Sequence, residues 1–178
     1  LLRVETAYVR AHNEQCPDLD SAMSRMLADD DAHRYSVAWI DCLATGASLG
    51  RSILSRGDHA TVEDLPEKLR KHPRRFDPRS RISAPPWAPN GLLNRLSISA
   101  FNELWYRVSP SLHGDVETIS SFFHPLDGVL GWNRLYGSRG FLQYQYVVPD
   151  RATDAVRRSI EMLSEAHAAS FLAVLKNR

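Results

Sequence analysis

Cysteine is scarce, with two in 178 residues. Cys16 and Cys42 stand apart with no CxxC spacing, so they make no secreted disulfide framework and are read as reduced thiols. One-signed charge is lacking too. Lys and Arg number 22 against 21 Asp and Glu, a formal net charge of +1, so no whole-molecule field draws the chain to nucleic acid. No apolar run is long enough to cross a bilayer, and no signal-peptide pattern precedes Val4. HExxH is absent, and the seven histidines are scattered. No serine or cysteine sits in a nucleophile elbow. His124 and His167 have no carboxylate at a defined spacing and are read as structural. What is present is an ordinary globular composition, 43% apolar and 24% charged, enough to bury one core. The abrupt start at Leu1 and the stop soon after Lys176 suggest a piece of a longer protein that lacks the chemistry of a complete enzyme.

Periodicity gives the elements. Residues 3–12 alternate around Val4, Thr6, Tyr8 and Arg10 and predict a strand. Pro17 opens a helix, where a missing N–H costs nothing. Leu19, Ala22, Met23, Met26 and Leu27 form its apolar stripe, and the acids from Asp29 onward end it near Ala28. Residues 34–42 have period two. Tyr35, Val37, Trp39 and Asp41 share one face; Ser36, Ala38, Ile40 and Cys42 share the other, where small side chains let a helix approach. Trp39 is then either a core residue or the wall of a ligand site. A short strand is expected over 51–56 and a helical turn around Leu65 and Leu69. The GASLGRS turn lacks GxGxxG spacing and is given no phosphate role. Residues 66–89 hold six of the ten prolines together with Lys68, Arg70, Lys71, Arg74, Arg75, Arg79 and Arg81. They read as a long basic surface loop, either merely solvated or in contact with a phosphate or an anionic membrane surface.

Farther on, 97–109 reads as strand through Ile98, Phe101, Leu104, Trp105, Tyr106 and Val108. Gly114 reads as a turn and 116–123 as another strand. The sharpest alternation is 140–148, with Phe141, Gln143, Gln145 and Val147 on one face and Leu142, Tyr144, Tyr146 and Val148 on the other. Two amides in line fit either a water-facing sheet or a polar ligand lying over it. Before it comes an apolar, glycine-punctuated loop with Phe122, Phe123, Leu126, Trp132, Leu135 and Tyr136. It is either a satellite core or a cleft wall, with His124 and Arg134 as its polar members. Asp150 is expected to cap a helix whose apolar side carries Ala155, Val156, Ile160 and Leu163. Residues 170–176 form the last strand, with Leu172, Val174 and Lys176 on one face. The sum is an α+β domain of about seven strands in a mainly antiparallel sheet, with about two helices on one face. The other face, with Val37, Trp39, Gln143, Gln145, Leu172, Val174 and Lys176, suits a polar, anionic ligand.

The segments FFHPLD, WNRLYG, GFLQYQYVVP and SFLAVLK are preceded in order by YSVAWID, LGRSILSRG, ATVEDLPEKLR, PNGLLNRLSI and ELWYR. Over nearly the whole chain, most weakly in 5–33, they resemble the substrate-binding domain of the decaprenylphosphoryl-β-D-ribose 2′-oxidases. These are FAD-linked oxidases of the vanillyl-alcohol-oxidase type and form the flavoprotein subunit of an epimerase in actinobacterial cell-wall arabinan biosynthesis. The resemblance implies that residues 1–178 are one substrate-binding domain. An FAD-binding domain and a C-terminal segment would then lie outside it, and the domain alone would be inactive. It implies oxidation of the ribose 2′-hydroxyl by hydride transfer to FAD, with an NADH-dependent keto-sugar reductase as partner and a polyprenylphosphoryl sugar as substrate. Trp39, Phe122, Phe123, Leu126, Trp132, Arg134, Gln143, Gln145, Leu172, Val174 and Lys176 match pocket positions, with Lys176 in the catalytic position. Phe123 stands where the mycobacterial enzymes carry a tyrosine, and Val37 where they carry a serine, so this pocket is expected to be more apolar. The basic loop maps near the substrate entrance, and the resemblance implies a cell-envelope protein peripheral to the inner membrane. A related sugar or alditol oxidase and a non-enzymatic sugar-binding module are the alternative readings.

Overall fold

A computed structural model of the chain describes residues 3–78, 82–85, 91–109, 111–124, 128–168, 170 and 172–176. The first strand, β1 (Tyr8–Cys16), is the spine of the sheet. Just before it, the buried Thr6 hydroxyl donates to the Ala60 carbonyl at 2.6 Å and fixes where the chain enters. Along one edge β1 pairs antiparallel with β3 (Ser52–His59), from Val9 opposite His59 to Cys16 opposite Ser52. Along the other it pairs antiparallel with β5 (Leu112–Thr118). Next to β3 lies β2 (Tyr35–Ile40), and the two-residue β7 (Val174–Leu175) pairs with β2 at the edge. The sheet order is β5-β1-β3-β2-β7.

One face of this sheet is closed by helices. In α1 (Leu19–Asp29), Leu19, Ala22 and Met26 are buried at helical spacing. Ala22 and Met26 meet Cys16, Ala38 and Leu54. Ala38 is small enough to allow that approach, as its position on the small-residue face predicts. In α5 (Thr153–Glu165), Val156, Ile160 and Ser164 face inward. Ile160 joins Leu19, Ile40 and Cys42, with Ala173 and Leu175 packed against the group. The antiparallel α+β sheet with its principal helices on one face is therefore as the periodicity predicts.

Several details differ. The seven strands do not share one sheet: five do, while β4 (Ile82–Ser83) and β6 (Val129–Leu130) form a separate parallel pair. Residues 95–108 are a helix, α3 (Arg95–Val108), not a strand. Its start is fixed by a capping box in which the Asn94 side chain accepts from the Leu96 and Ser97 N–H groups and Ser97 accepts from the Asn94 N–H. Gly114 lies within β5 at φ 89°, near the register shift between Ala11 and His12. A bulge of this kind favours glycine. The strand expected over 116–123 ends at Thr118, whose hydroxyl caps the short helix α4 (Ile119–Phe123). A further short helix, α2 (Glu67–Arg70), lies in the basic loop. Asp150 opens a 3₁₀ turn rather than capping α5, whose N-cap is Ala152.

The largest correction is at 141–149, which carries no helix or strand. Leu142 is 100% exposed there, and Tyr144 and Val147 are almost as open. Alternation makes a segment able to pair but does not supply the neighbour that takes its backbone hydrogen bonds. The last strand is shorter than expected, yet its faces are as predicted: Ala173 and Leu175 turn inward, while Leu172, Val174 and Lys176 are exposed. No helix among the described residues is long and apolar enough to cross a membrane.

One polar group ties α3 to the sheet. Asp41, 2% exposed, follows β2 directly. Its carboxylate accepts from Arg51 at 2.8 and 3.0 Å, from Asn102 at 2.8 Å and from the Leu43 N–H at 3.0 Å. Arg51 also pairs with Glu103 at 2.6 Å and lies 4.9 Å from the Tyr106 ring centre. Removing one partner of such a buried pair strands the other charge. Asp41→Ala is therefore expected to destabilise the protein by about 3–5 kcal/mol in urea unfolding. A change below about 1 kcal/mol would show that the site is effectively solvated.

Candidate functional site: the sheet face opposite the helices

Residues paired across an antiparallel ladder point to the same side. The registers therefore place Tyr35, Val37 and Trp39 on one face with Gly57, Ser55 and Ile53, and with Ala11, Asn13 and Gln15 beyond them. Val174 stands opposite Trp39 and extends the row to the sheet edge. This face is turned away from α1 and α5.

Two elements bound it. At one end α4 lays Phe122 onto Gly57. A Cβ added to Gly57 would meet Val9 Cγ1 at 2.6 Å and Phe122 Cζ at 2.8 Å, so the bare backbone makes the seat. Phe123 meets Phe122 edge-on at 5.0 Å and Tyr35 edge-on at 4.7 Å. Behind them the Tyr35 hydroxyl lies 3.0 Å from His59 Nε2. The buried His59 Nδ1 has no hydrogen-bond partner. Burial, with Arg34 nearby, holds the His59 pKa below its ordinary 6.5, so the neutral ring is favoured beside the tyrosine hydroxyl. At the other end Gln15 Nε2 donates to the Tyr106 carbonyl at 2.6 Å, which brings the last turns of α3 against this corner. Between the two ends lie Val37, Asn13, Ser55 and Trp39, all half-buried.

The predicted site residues divide into two groups. Trp39, Val174, Phe122 and Phe123 come together on this face. Leu172 and Lys176 are exposed and continue the Val174 row by alternation. The others are not on the sheet. Trp132 packs with Tyr136 and Phe141 at ring distances of 6.2 and 5.8 Å, and Tyr136 stacks on Phe141 at 4.4 Å. The exposed Arg134 lies over Gly131, where a Cβ would come within 3.2 Å of its guanidinium. Gln143 and Gln145 are exposed on 141–149 and share no sheet face with Trp39. Leu126 lies outside the described residues. The sequence reading missed Gly57 and His59 on the Trp39 face because the strand was ended at Arg56, and Ser55 because no faces were assigned within 51–56. Period two carried from Ile53 to His59 finds all three.

Among the described residues no group of three or more His, Cys, Asp and Glu is placed to hold a metal. The face offers flat aromatic and aliphatic surface, hydroxyl and amide groups, and one ammonium at its edge. Such a surface can bind and orient a ligand and exclude water.

The chain matches no protein-family model. It is 39% identical over 173 residues to the decaprenylphosphoryl-beta-D-ribose oxidase of Mycolicibacterium smegmatis, a match covering 97% of this chain and 38% of that protein. It is 28% identical over 183 residues to an uncharacterized protein in the mprA 5′ region of Streptomyces coelicolor, covering 97% of this chain and 48% of that one. The chain thus spans less than half the length of either relative. The resemblance read from its motifs is borne out: nearly the whole chain is similar to one part of that oxidase.

Two outcomes test the aromatic end. Gly57→Ala is expected to displace Phe122 and cost about 1–3 kcal/mol on thermal unfolding, with Phe122→Leu in the same chain recovering part of the loss. A lowered histidine pKa contributes stability that is full above 6.5 and is lost as pH falls from there through the folded-state value. Stability should therefore decline on acidification below 6.5, and His59→Gln should flatten the decline. The slope should not vanish, because burial and His33 lower His12 as well. An identical slope in His59→Gln would exclude His59 as its source.

Proposed function

We propose that the chain is the substrate-binding part of an FAD-dependent oxidoreductase that oxidises the 2′-hydroxyl of decaprenylphosphoryl-β-D-ribose to the 2′-keto sugar. The carrying observation is the 39% identity to an oxidase of that name along 97% of the chain. In the full-length protein FAD would supply the two-electron acceptor. The residues present fit covering such a group: Trp39, Val37 and Val174 give a flat, largely apolar strip beside the exposed Lys176. Lys176, as a compact cation, would hold polar groups of the phosphoribosyl ligand. Trp39, Leu172 and Val174 would pack against it, and Phe122 and Phe123 would close one end to water. Gln143, Gln145, Trp132, Arg134 and Leu126 complete the proposed pocket, which requires 141–149 to come over the Trp39 face. Gln145 would share the polar contacts of Lys176. An NADH-dependent reductase would consume the keto sugar and complete an epimerisation in arabinan precursor synthesis at the cell envelope.

The deciding experiment uses the full-length protein. Anaerobic addition of a polyprenylphosphoryl-ribose analogue is expected to bleach its visible flavin absorbance. Lys176→Ala should lower the bleaching rate by about 100-fold or more, the range spanned by removing one preorganised polar group from a reacting centre. A yellow protein bleached only by free polyols would identify an alditol oxidase instead. A colourless protein would leave a sugar-binding module.

A further inference from the structure

The first half of the basic loop is not a loose excursion. Leu65, 1% exposed, packs with Tyr8 and Ala60, and Leu69 lies against them. Arg70 turns back to donate to the Leu65 carbonyl at 2.7 Å and the Glu63 carbonyl at 2.9 Å. The Pro73 carbonyl accepts from the Ala7 N–H at 2.8 Å, and Arg74 Nε donates to the Glu5 carbonyl at 3.3 Å. So fastened, the segment holds Lys68, Lys71, Arg74 and Arg75 outward. At its tip Phe76 is 60% exposed. An open groove of about 720 Å³ runs between Glu5, Val62 and the stretch 71–75. Asp77 pairs with Arg75 at 3.2 Å, and Glu5 is the acid of the groove; the stretch 68–76 itself contains no acid.

The position of this segment links it to the candidate site. Ala7 donates to Pro73 on one side and accepts from the N–H of Ile119, the first residue of α4, at 3.2 Å on the other. The cationic groove and the Phe122–Phe123 wall thus share one end of the sheet. A soluble phosphate would explain the cations but not an exposed phenylalanine held beside two arginines. An exposed apolar tip at the end of a Lys- and Arg-bearing segment matches a bilayer interface, where the ring enters the headgroup boundary and the cations meet lipid phosphates. The +1 net charge of the chain makes this a local arrangement rather than a whole-molecule trait. The relative's named substrate carries a decaprenyl chain, which gives the location a purpose.

We infer that residues 68–76 are an interfacial anchor for an anionic bilayer, seating headgroup phosphates on Lys68, Lys71 and Arg75 and inserting Phe76. The anchor would stand at the aromatic end of the candidate site. The inference rests on the proposed function for that purpose, but its test does not. Full-length protein is floated with vesicles of phosphatidylcholine alone and of an equimolar mixture with phosphatidylglycerol. Binding to the mixed vesicles is expected, with little to the neutral ones and loss at high salt. Lys71→Gln and Arg75→Gln should each weaken binding about five-fold, and Phe76→Ser should weaken it further at unchanged thermal stability.

Equal binding to both vesicles, or variants that bind like the parent, would overturn the inference. So would complete displacement by inorganic phosphate, which would mark a site for free phosphate. Sedimentation showing concentration-dependent self-association lost in Phe76→Ser, without vesicle binding, would mark a protein contact. Flavin bleaching with a water-soluble short-chain analogue is measured on the same samples. Bleaching without vesicle binding sinks the anchor alone, and vesicle binding without bleaching sinks the oxidase reading alone.

Discussion

The carboxylate of Asp41 is the joint on which the architecture turns. It lies where β2 leaves the sheet and receives hydrogen bonds from β3's approach through Arg51, from α3 through Asn102 and from the following turn through the Leu43 N–H. Arg51, bound to it, extends the same network to Glu103 and the Tyr106 ring. The apolar contacts of α1 and α5 would hold a sheet together without this joint. They would not fix α3, whose outward residues Leu96, Leu104 and Val108 remain exposed and contribute little burial. Directional, charge-assisted bonds supply what apolar contact does not: one angle and one register for the helix.

From that joint follows the division of labour between the two faces. One face is filled by Cys16, Ala38, Leu54 and the helices above them. The other is bounded at its ends, by α4 where Gly57 admits Phe122 and by α3 where Gln15 reaches the Tyr106 carbonyl. Between them Asn13, Ser55, Val37 and Trp39 are half-buried and Val174 is exposed. A sheet that is solid on one side and framed on the other would serve the proposed ligand site without moving its own backbone.

The parts legible in the sequence are those governed by local period. The α1 stripe, apart from the exposed Leu27, the two faces of β2 and the alternation from Leu172 to Lys176 follow from spacing, because each faces a broad apolar core. The helix α3 was illegible as apolar pattern because its buried face includes Asn102, a polar residue whose partner, Asp41, is 61 residues away. Its capping box was local and readable, but the aromatic and branched residues outweighed it. The stretch 141–149 fails for the opposite reason: a clear local pattern with no neighbouring strand among the described residues. For the candidate site, Trp39 beside Val174 follows from period two. Phe122 over Gly57 does not, since it depends on the absence of a side chain far away in the chain.

The two buried thiols make the molecule its own reporter. Cys16 and Cys42 are both free and fully buried. Burial, then the neighbouring Asp41 charge, pushes the Cys42 thiol up to about 12, and burial likewise raises Cys16. Only thiolate reacts with disulfide reagents, so neither is modified while the sheet stays closed. Cys16 lies beneath Ala22 and Met26, whereas Cys42 lies beneath Leu19 and Ile160. Labelling of Cys16 therefore times the lifting of α1, whereas labelling of Cys42 times an opening that involves both α1, through Leu19, and α5, through Ile160. A cysteine introduced on any exposed element can be tagged against a silent background.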